Sequence, residues 1–209
     1  MVQNAARARA LSVTLFLSSA CLGLSGCAVG LEHIEIAYQQ QSSAAPVDGA
    51  SSAPVELRVT TASLPQPERV GVKKNGYGME LGGIAASRPI ADIVRDSFTA
   101  ELSQRGFPLA AGGETLDVDV LKFSNDFKMG VFVADAAAEV ILVTTIRGRT
   151  GQILFTKTVT GRGRSDNQLL MTPGEARKAL VMALADAVHS IVSDPNFSRA
   201  LLQASNRLS

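Results

Sequence analysis

The residues of this chain that could do chemistry are sparse, and they begin with glycines. Gly71-Val72-Lys73-Lys74-Asn75-Gly76 has the glycine spacing of a phosphate-binding loop. That chemistry also needs a Lys and then a Ser or Thr directly after the second glycine, to reach the phosphates and the metal. Tyr77 and Gly78 stand there instead, so no nucleotide site is expected. Asp117 and Asp119 project from one face of a strand about 7 Å apart, near enough for the paired carboxylates of a hydrolase. Their alternation with Leu116, Val118 and Val120 assigns them to the solvent face. His33 and His189 have no recognisable Ser or Cys partner, which leaves nucleophilic catalysis without its base. No metal-ligand spacing, nucleophile elbow or dinucleotide fingerprint occurs. The expectation is a non-enzymatic protein with no catalytic residues, no cofactor and no metal.

Binding chemistry has two candidate locations. Arg147, Arg149, Arg162 and Arg164 lie among glycines at the expected strand ends, where they either receive an anionic headgroup or acidic partner or form a charged rim that protects the strands. Lys73, Lys74, Asn75, Tyr77 and Met79 are the exposed cargo of the glycine stretch and suit contact with a partner better than catalysis.

The remaining reactive groups are thiols. Arg7 and Arg9 precede an apolar run from about Ala10 to Leu24 with no acidic residue, the pattern of a bacterial export signal. The run is shorter than the roughly 20 apolar residues of a membrane-spanning helix. It closes on Leu24-Ser25-Gly26-Cys27, which resembles the lipobox of bacterial lipoproteins. The resemblance implies diacylglycerol on the Cys27 sulfur, cleavage after Gly26 and acylation of the new amino terminus, and two or three acyl chains anchor stably where one is marginal. Cys21, after Ser18-Ser19-Ala20, lacks the aliphatic residue. Cleavage would discard Cys21 and lipidation consume Cys27, leaving no thiol for a disulfide or a metal. Losing Arg7 and Arg9 lowers the basic count from 20 to 18 against 19 acidic residues, a balance that argues against nucleic acid.

These residues must be held by a fold. Residues 1–26 read as the signal peptide, 27–54 as a lipidated flexible tether rich in Gln, Ser, Ala and Pro, and 55–209 as one domain. Some 25 tether residues would reach roughly 25 to 30 Å. Within the tether, Leu31 to Tyr38 alternates like a strand, and strand and tether remain alternatives there. Val55 to Val59 alternates as a half-buried strand. Arg69 to Ile84 reads as a hairpin around Asn75-Gly76, a strong turn signal, so the glycines bend the chain. Pro89 opens a helix with Ile90, Ile93, Val94, Phe98 and Leu102 on one face, and Gly106 stops it with Phe107 packing back. Strands are expected at Thr115–Ser124, Asp135–Gly148 and Gln152–Gly161. Thr172-Pro173-Gly174-Glu175 is a capping box that starts a long helix, whose buried face runs through Ala176, Leu180, Ala183, Leu184, Ala187, Val188 and Ile191. Asp194-Pro195 restarts a short helix. The sum is an α+β two-layer sandwich, a mostly antiparallel sheet with two main helices on one face.

In this order the features resemble the YajG-like family of bacterial lipoproteins. The stretches that carry the likeness are Val70 to Met79, Ala100 to Phe107 and Ala134 to Val140. The resemblance implies an envelope lipoprotein with no established enzymatic activity, and a fold similar to that of ABC-transport auxiliary lipoproteins. Ala28 follows the lipidated cysteine. In lipoproteins of the enterobacterial sorting type, an Asp at that position retains the protein in the inner membrane. The expectation is thus an outer-membrane lipoprotein facing the periplasm, acting as a non-enzymatic interaction module on an unknown envelope protein. The alternative is an accessory of an envelope transport system that binds an anionic lipid or glycan.

Overall fold

The computed structural model describes residues 30–40, 45–75, 77–129, 134–148, 150–168 and 172–205. Cys21, Cys27, Gly76 and Arg149 lie outside the described residues, as does the whole expected signal peptide. The chain from Leu31 onward forms one compact unit. Its elements are β1 (Glu32–Ile34), β2 (Val55–Thr60), β3 (Arg69–Lys74), β4 (Glu80–Ala86), α1 (Ile90–Gln104), β5 (Glu114–Met129), β6 (Ala134–Arg147), β7 (Ile153–Gln168), α2 (Pro173–Val192) and α3 (Pro195–Ser205).

The fold is α+β, with helices packed on one side of a four-stranded sheet ordered β2-β5-β6-β7. A three-stranded sheet, β1-β4-β3, lies beside β5. Two sheets thus stand where one was expected, and two of the pairings are parallel, β1 with β4 and β2 with β5. The reason lies in the connections. The hairpin β3–β4 and then α1 separate β2 from β5, and a crossover of that length returns the chain parallel.

Period-2 alternation builds the core. Leu116, Val118 and Val120 of β5 and Val140, Leu142 and Ile146 of β6 point at the helices and are fully buried. They meet Val94, Phe98 and Leu102 of α1 and Leu180, Leu184 and Ile191 of α2. Helix α1 ends as expected at Gly106, whose φ of +88° suits glycine alone among common residues. The Phe107 N–H donates back to Leu102 O at 3.0 Å and the Phe107 ring is buried, the Schellman arrangement.

Strands β5 and β7 run past their expected ends, to Met129 and Gln168. β7 continues through Gly161-Arg162-Gly163-Arg164, so this stretch is mid-strand and not a loop. Its glycines face α2, where a Cβ on Gly161 would lie 2.6 Å from Ala187 Cβ and one on Gly163 would lie 2.6 Å from Ala183 N. Ala179, Ala183 and Ala187 are all fully buried and sit one turn apart. A flat row of small residues on the helix and missing side chains on the strand let the two backbones approach closely. Thr172 and Pro173 begin α2 as expected, but the capping box does not close. The Glu175 carboxylate instead accepts from Ser165 Oγ and from Lys178 Nζ, tying the end of β7 to the first turn of α2.

Of the two alternatives for Leu31 to Tyr38, Glu32–Ile34 form a strand, and further parts of the expected tether pack on the domain. Ile34 and Ile36 are buried, β1 pairs with β4, and the Val47 N–H donates to Arg105 O at 2.9 Å. Ala50 and Ala53 are buried too. Composition suggested a chain that could not bury a core, yet isolated apolar residues at alternate positions suffice when the domain supplies the other wall.

Candidate functional site

The hairpin β3–β4 carries the surface feature that stands out. At its tip, Asn75 makes the turn itself: its Oδ1 accepts from the Tyr77 N–H at 2.9 Å and the Met79 N–H at 3.0 Å. Its backbone N–H donates to Met79 O at 3.0 Å, and its O accepts from the Gly78 N–H at 2.9 Å. Gly78 takes φ +82°. A side chain used this way mimics the backbone of a turn.

Five residues of this loop were expected to face a partner, and they divide into two groups. Lys73 Nζ donates to Glu32 Oε2 at 3.1 Å, and Lys74 Nζ pairs with Asp126 Oδ1 on β5. Both lysine side chains are only 19% exposed. The lysines and Asn75 therefore buttress the hairpin, whereas Tyr77 at 90% and Met79 at 59% exposure project from it. Sequence reasoning missed two neighbours. Leu81 is exposed on β4, and the exposed Leu31 lies over Gly83, where a Cβ would sit 2.8 Å from Leu31 Cδ1. Leu81 is two residues along β4 from Gly83, at a bulge where the register shifts between Lys73 and Lys74. The signal available was the alternation Met79-Glu80-Leu81, but nothing local placed Leu31 beside it.

The described arginines, Arg147, Arg162 and Arg164, do not form one cluster. Arg147 closes β6, and its Nε donates to Asp117 Oδ2 at 3.2 Å. Arg164 pairs with Asp135. Arg162 lies opposite Glu139 in the register, eight residues along β6 from Arg147, or roughly 26 Å. Its backbone N–H donates to Asp186 Oδ2 at 2.9 Å, so α2 covers this edge of the sheet.

Asp117 and Asp119 lie on the face away from the helices, as alternation assigned them. They line a shallow depression of about 310 Å³ with Arg58 and Arg147. Opposite charges neutralise each other there. Glu56 beside them is held below the usual carboxylate range by its hydrogen bond from Arg58 and then by one from the Gly112 N–H.

His33 is exposed on β1. His189 has a neighbour the sequence did not reveal, because Ser193 Oγ lies 3.3 Å from both ring nitrogens at the end of α2. Equal approach to both nitrogens directs no proton to either, so the pair lacks the geometry of a nucleophile and its base. Among the described residues no three His, Cys, Asp or Glu side chains gather to hold a metal. A larger cleft of about 550 Å³ opens between Glu35, Ala37 and Gln39, the end of β7 at Ser165, and Arg177, Lys178 and Met182 of α2. Its mix of one carboxylate and two cations offers polar contacts and no reacting pair. No described helix is long and apolar enough to cross a membrane.

Fold and surface together define a small α+β domain in which Tyr77, among the described residues, is an exposed aromatic at a hairpin tip. The chain belongs to a family of lipoproteins described as uncharacterised, whose model matches residues 49–202. Among solved structures, protein XCC0632 from Xanthomonas campestris, of the family DUF330, aligns with a TM-score of 0.57 at 14% identity, over 85% of this chain and 99% of that one. A minor lipoprotein from Acinetobacter baumannii aligns with a TM-score of 0.45 at 11% identity, over 71% and 93%. The first likeness shows the fold. No curated protein matches the chain significantly.

Proposed function

We propose that this lipoprotein is a YajG-like, non-enzymatic interaction module of the bacterial envelope, acylated at Cys27, held in the outer membrane and facing the periplasm. The observation that carries the reading is the tip of the β3–β4 hairpin. Tyr77, 90% exposed on a turn braced by four hydrogen bonds, stands with Met79, 59% exposed, at one end of the hairpin, and adjoining exposed apolar side chains, unlike single ones, mark a contact surface. Ala28 after Cys27, where inner-membrane retention of the enterobacterial type would place Asp, supports the outer membrane. The transport-accessory alternative rested on the arginines and on a fold analogy; of the described arginines, Arg147 is engaged by Asp117 and Arg164 by Asp135. The test is a photoreactive residue in place of Tyr77, activated in living cells. A discrete adduct, to protein or to lipid, is expected, and its absence would remove the reading. Fractionation of the same cells places the protein, and residence in the inner membrane would contradict the assignment. Radioactive fatty acid incorporated by the wild type and lost in Cys27→Ser tests the anchor.

A further inference from the structure

The chain holds few large apolar side chains at its described surface, and half of them meet in one place. Leu31, Tyr77, Met79 and Leu81 are 53%, 90%, 59% and 39% exposed, and the register of β1 on β4 sets Leu31 over Gly83, two residues along β4 from Leu81, which bulges from the strand on the way to the hairpin tip. The charges around the strip are already paired with one another: Lys73 with Glu32, Lys74 with Asp126 and Arg69 with Glu80. A surface that is apolar at its centre and internally neutralised at its rim does not select a strongly charged partner.

The position of the strip along the chain says what covers it. Leu31 is four residues after Cys27, so the two Cα atoms can be at most about 14 Å apart. A tether of some 25 residues would have let the domain float free, but β1 and the buried Ile34 and Ile36 leave only Ala28, Val29 and Gly30 between the acylation site and the strip. Acyl chains on Cys27 thus bring Leu31, and with it the hairpin face, to the depth of the lipid headgroups.

We infer that the strip Leu31–Tyr77–Met79–Leu81 is a membrane-contact face, seated in the interfacial layer of the bilayer that holds the Cys27 acyl chains. Tyr77 is the side chain suited to that layer, with an apolar ring and a hydroxyl for the headgroup region. The acyl chains supply the attachment, and the strip fixes the orientation, turning the far end of β6 and β7 away from the membrane. This rests on the proposed acylation of Cys27 and specifies the partner of the hairpin as lipid.

The test uses the absence of tryptophan from the chain. Tyr77→Trp places one reporter in the strip. Ile153→Trp places another at an exposed site beside Arg147, which pairs with Thr115, eleven residues along β5 from the Asp126 that holds Lys74; that is roughly 36 Å away. Each full-length mature protein is purified from membranes, weighed by mass spectrometry, and reconstituted into phosphatidylethanolamine vesicles containing lipids brominated high on the acyl chain. The Tyr77→Trp protein is expected to emit at shorter wavelength than the Ile153→Trp protein and to be quenched at least about twofold, while emission from the Ile153→Trp protein stays nearly unaffected, as for a face seated at the acyl boundary. Equal quenching of the two variants, each carrying its acyl chains, would overturn the inference alone. A mass without acyl chains would overturn the Cys27 reading and the inference with it. A photoreactive residue at position 77 that captures only protein in cells would also overturn it.

Discussion

The hydroxyl of Tyr38 donates to Glu101 Oε1 at 2.6 Å, joining a residue of the expected tether to a carboxylate of α1 that is 3% exposed. Burial pushes the Tyr38 phenol up from its ordinary value of 10.0, and the hydrogen bond and charge of Glu101 act the same way. The fold thus favours the protonated phenol. Its contribution to stability is complete below pH 10 and is lost as pH rises from there through the higher folded value. Tyr38→Phe should cost about 1–3 kcal/mol near neutrality, because Glu101 loses its donor in a buried place. Urea unfolding at neutral pH and above pH 10 checks both points: the gap between wild type and variant should narrow at the alkaline end.

Gly163→Ala should destabilise the domain by about 1–3 kcal/mol or more, since the new Cβ would press on Ala183 N and Met182 Cβ. Denaturant midpoints measure this. An unchanged midpoint would mean that α2 and β7 are not packed backbone to backbone.

The double variant Asp117→Asn, Asp119→Asn should retain full complementation, with stability within about 1 kcal/mol of wild type, because the single pair it breaks, Asp117 with Arg147, is partly exposed. Loss of complementation at normal abundance would reopen the hydrolase reading.

Asp194 joins α2 to α3. Its Oδ1 accepts from the Asn196 N–H at 2.9 Å and its Oδ2 from Lys157 Nζ at 2.8 Å, and these bonds, that from Lys157 foremost, hold its carboxyl below its ordinary value of 3.8. A lowered folded value means that the contribution is present above the ordinary pKa and lost as pH falls through the folded one. Asp194→Ala should cost about 1–2 kcal/mol at pH 7, as for the loss of a helix cap. The difference from wild type should shrink below pH 4, as followed by thermal melts across that range.

Much of the fold was legible from residues close together in sequence. The apolar spacing of Ile90, Ile93, Val94, Phe98 and Leu102 marked the buried face of α1, and the Gly106-Phe107 pair marked its end. The turn at Asn75 was legible too, but its mechanism was not, because an Asn side chain bonded to the N–H groups of Tyr77 and Met79 depends on the geometry of the closed hairpin. The candidate loop was found from exposure expected of a turn. Its lysines were misjudged because Glu32 and Asp126 lie 41 and 52 positions away from them.

By itself, then, the sequence determined whatever acts over a turn of helix or a step of strand: periodicity, helix ends, the hairpin bend and the outward face of Asp117 and Asp119. Those signals are local, since the backbone repeats set them within about four residues. Tertiary structure alone decided that Ile34 and Ile36 find a core, that Gly161 and Gly163 admit α2 and not a loop, and that Leu31 lies over Gly83. Each of these depends on which distant segment comes alongside. Burial of small apolar groups stabilises a pairing only once both walls are present, so composition could not distinguish a tether from an edge strand.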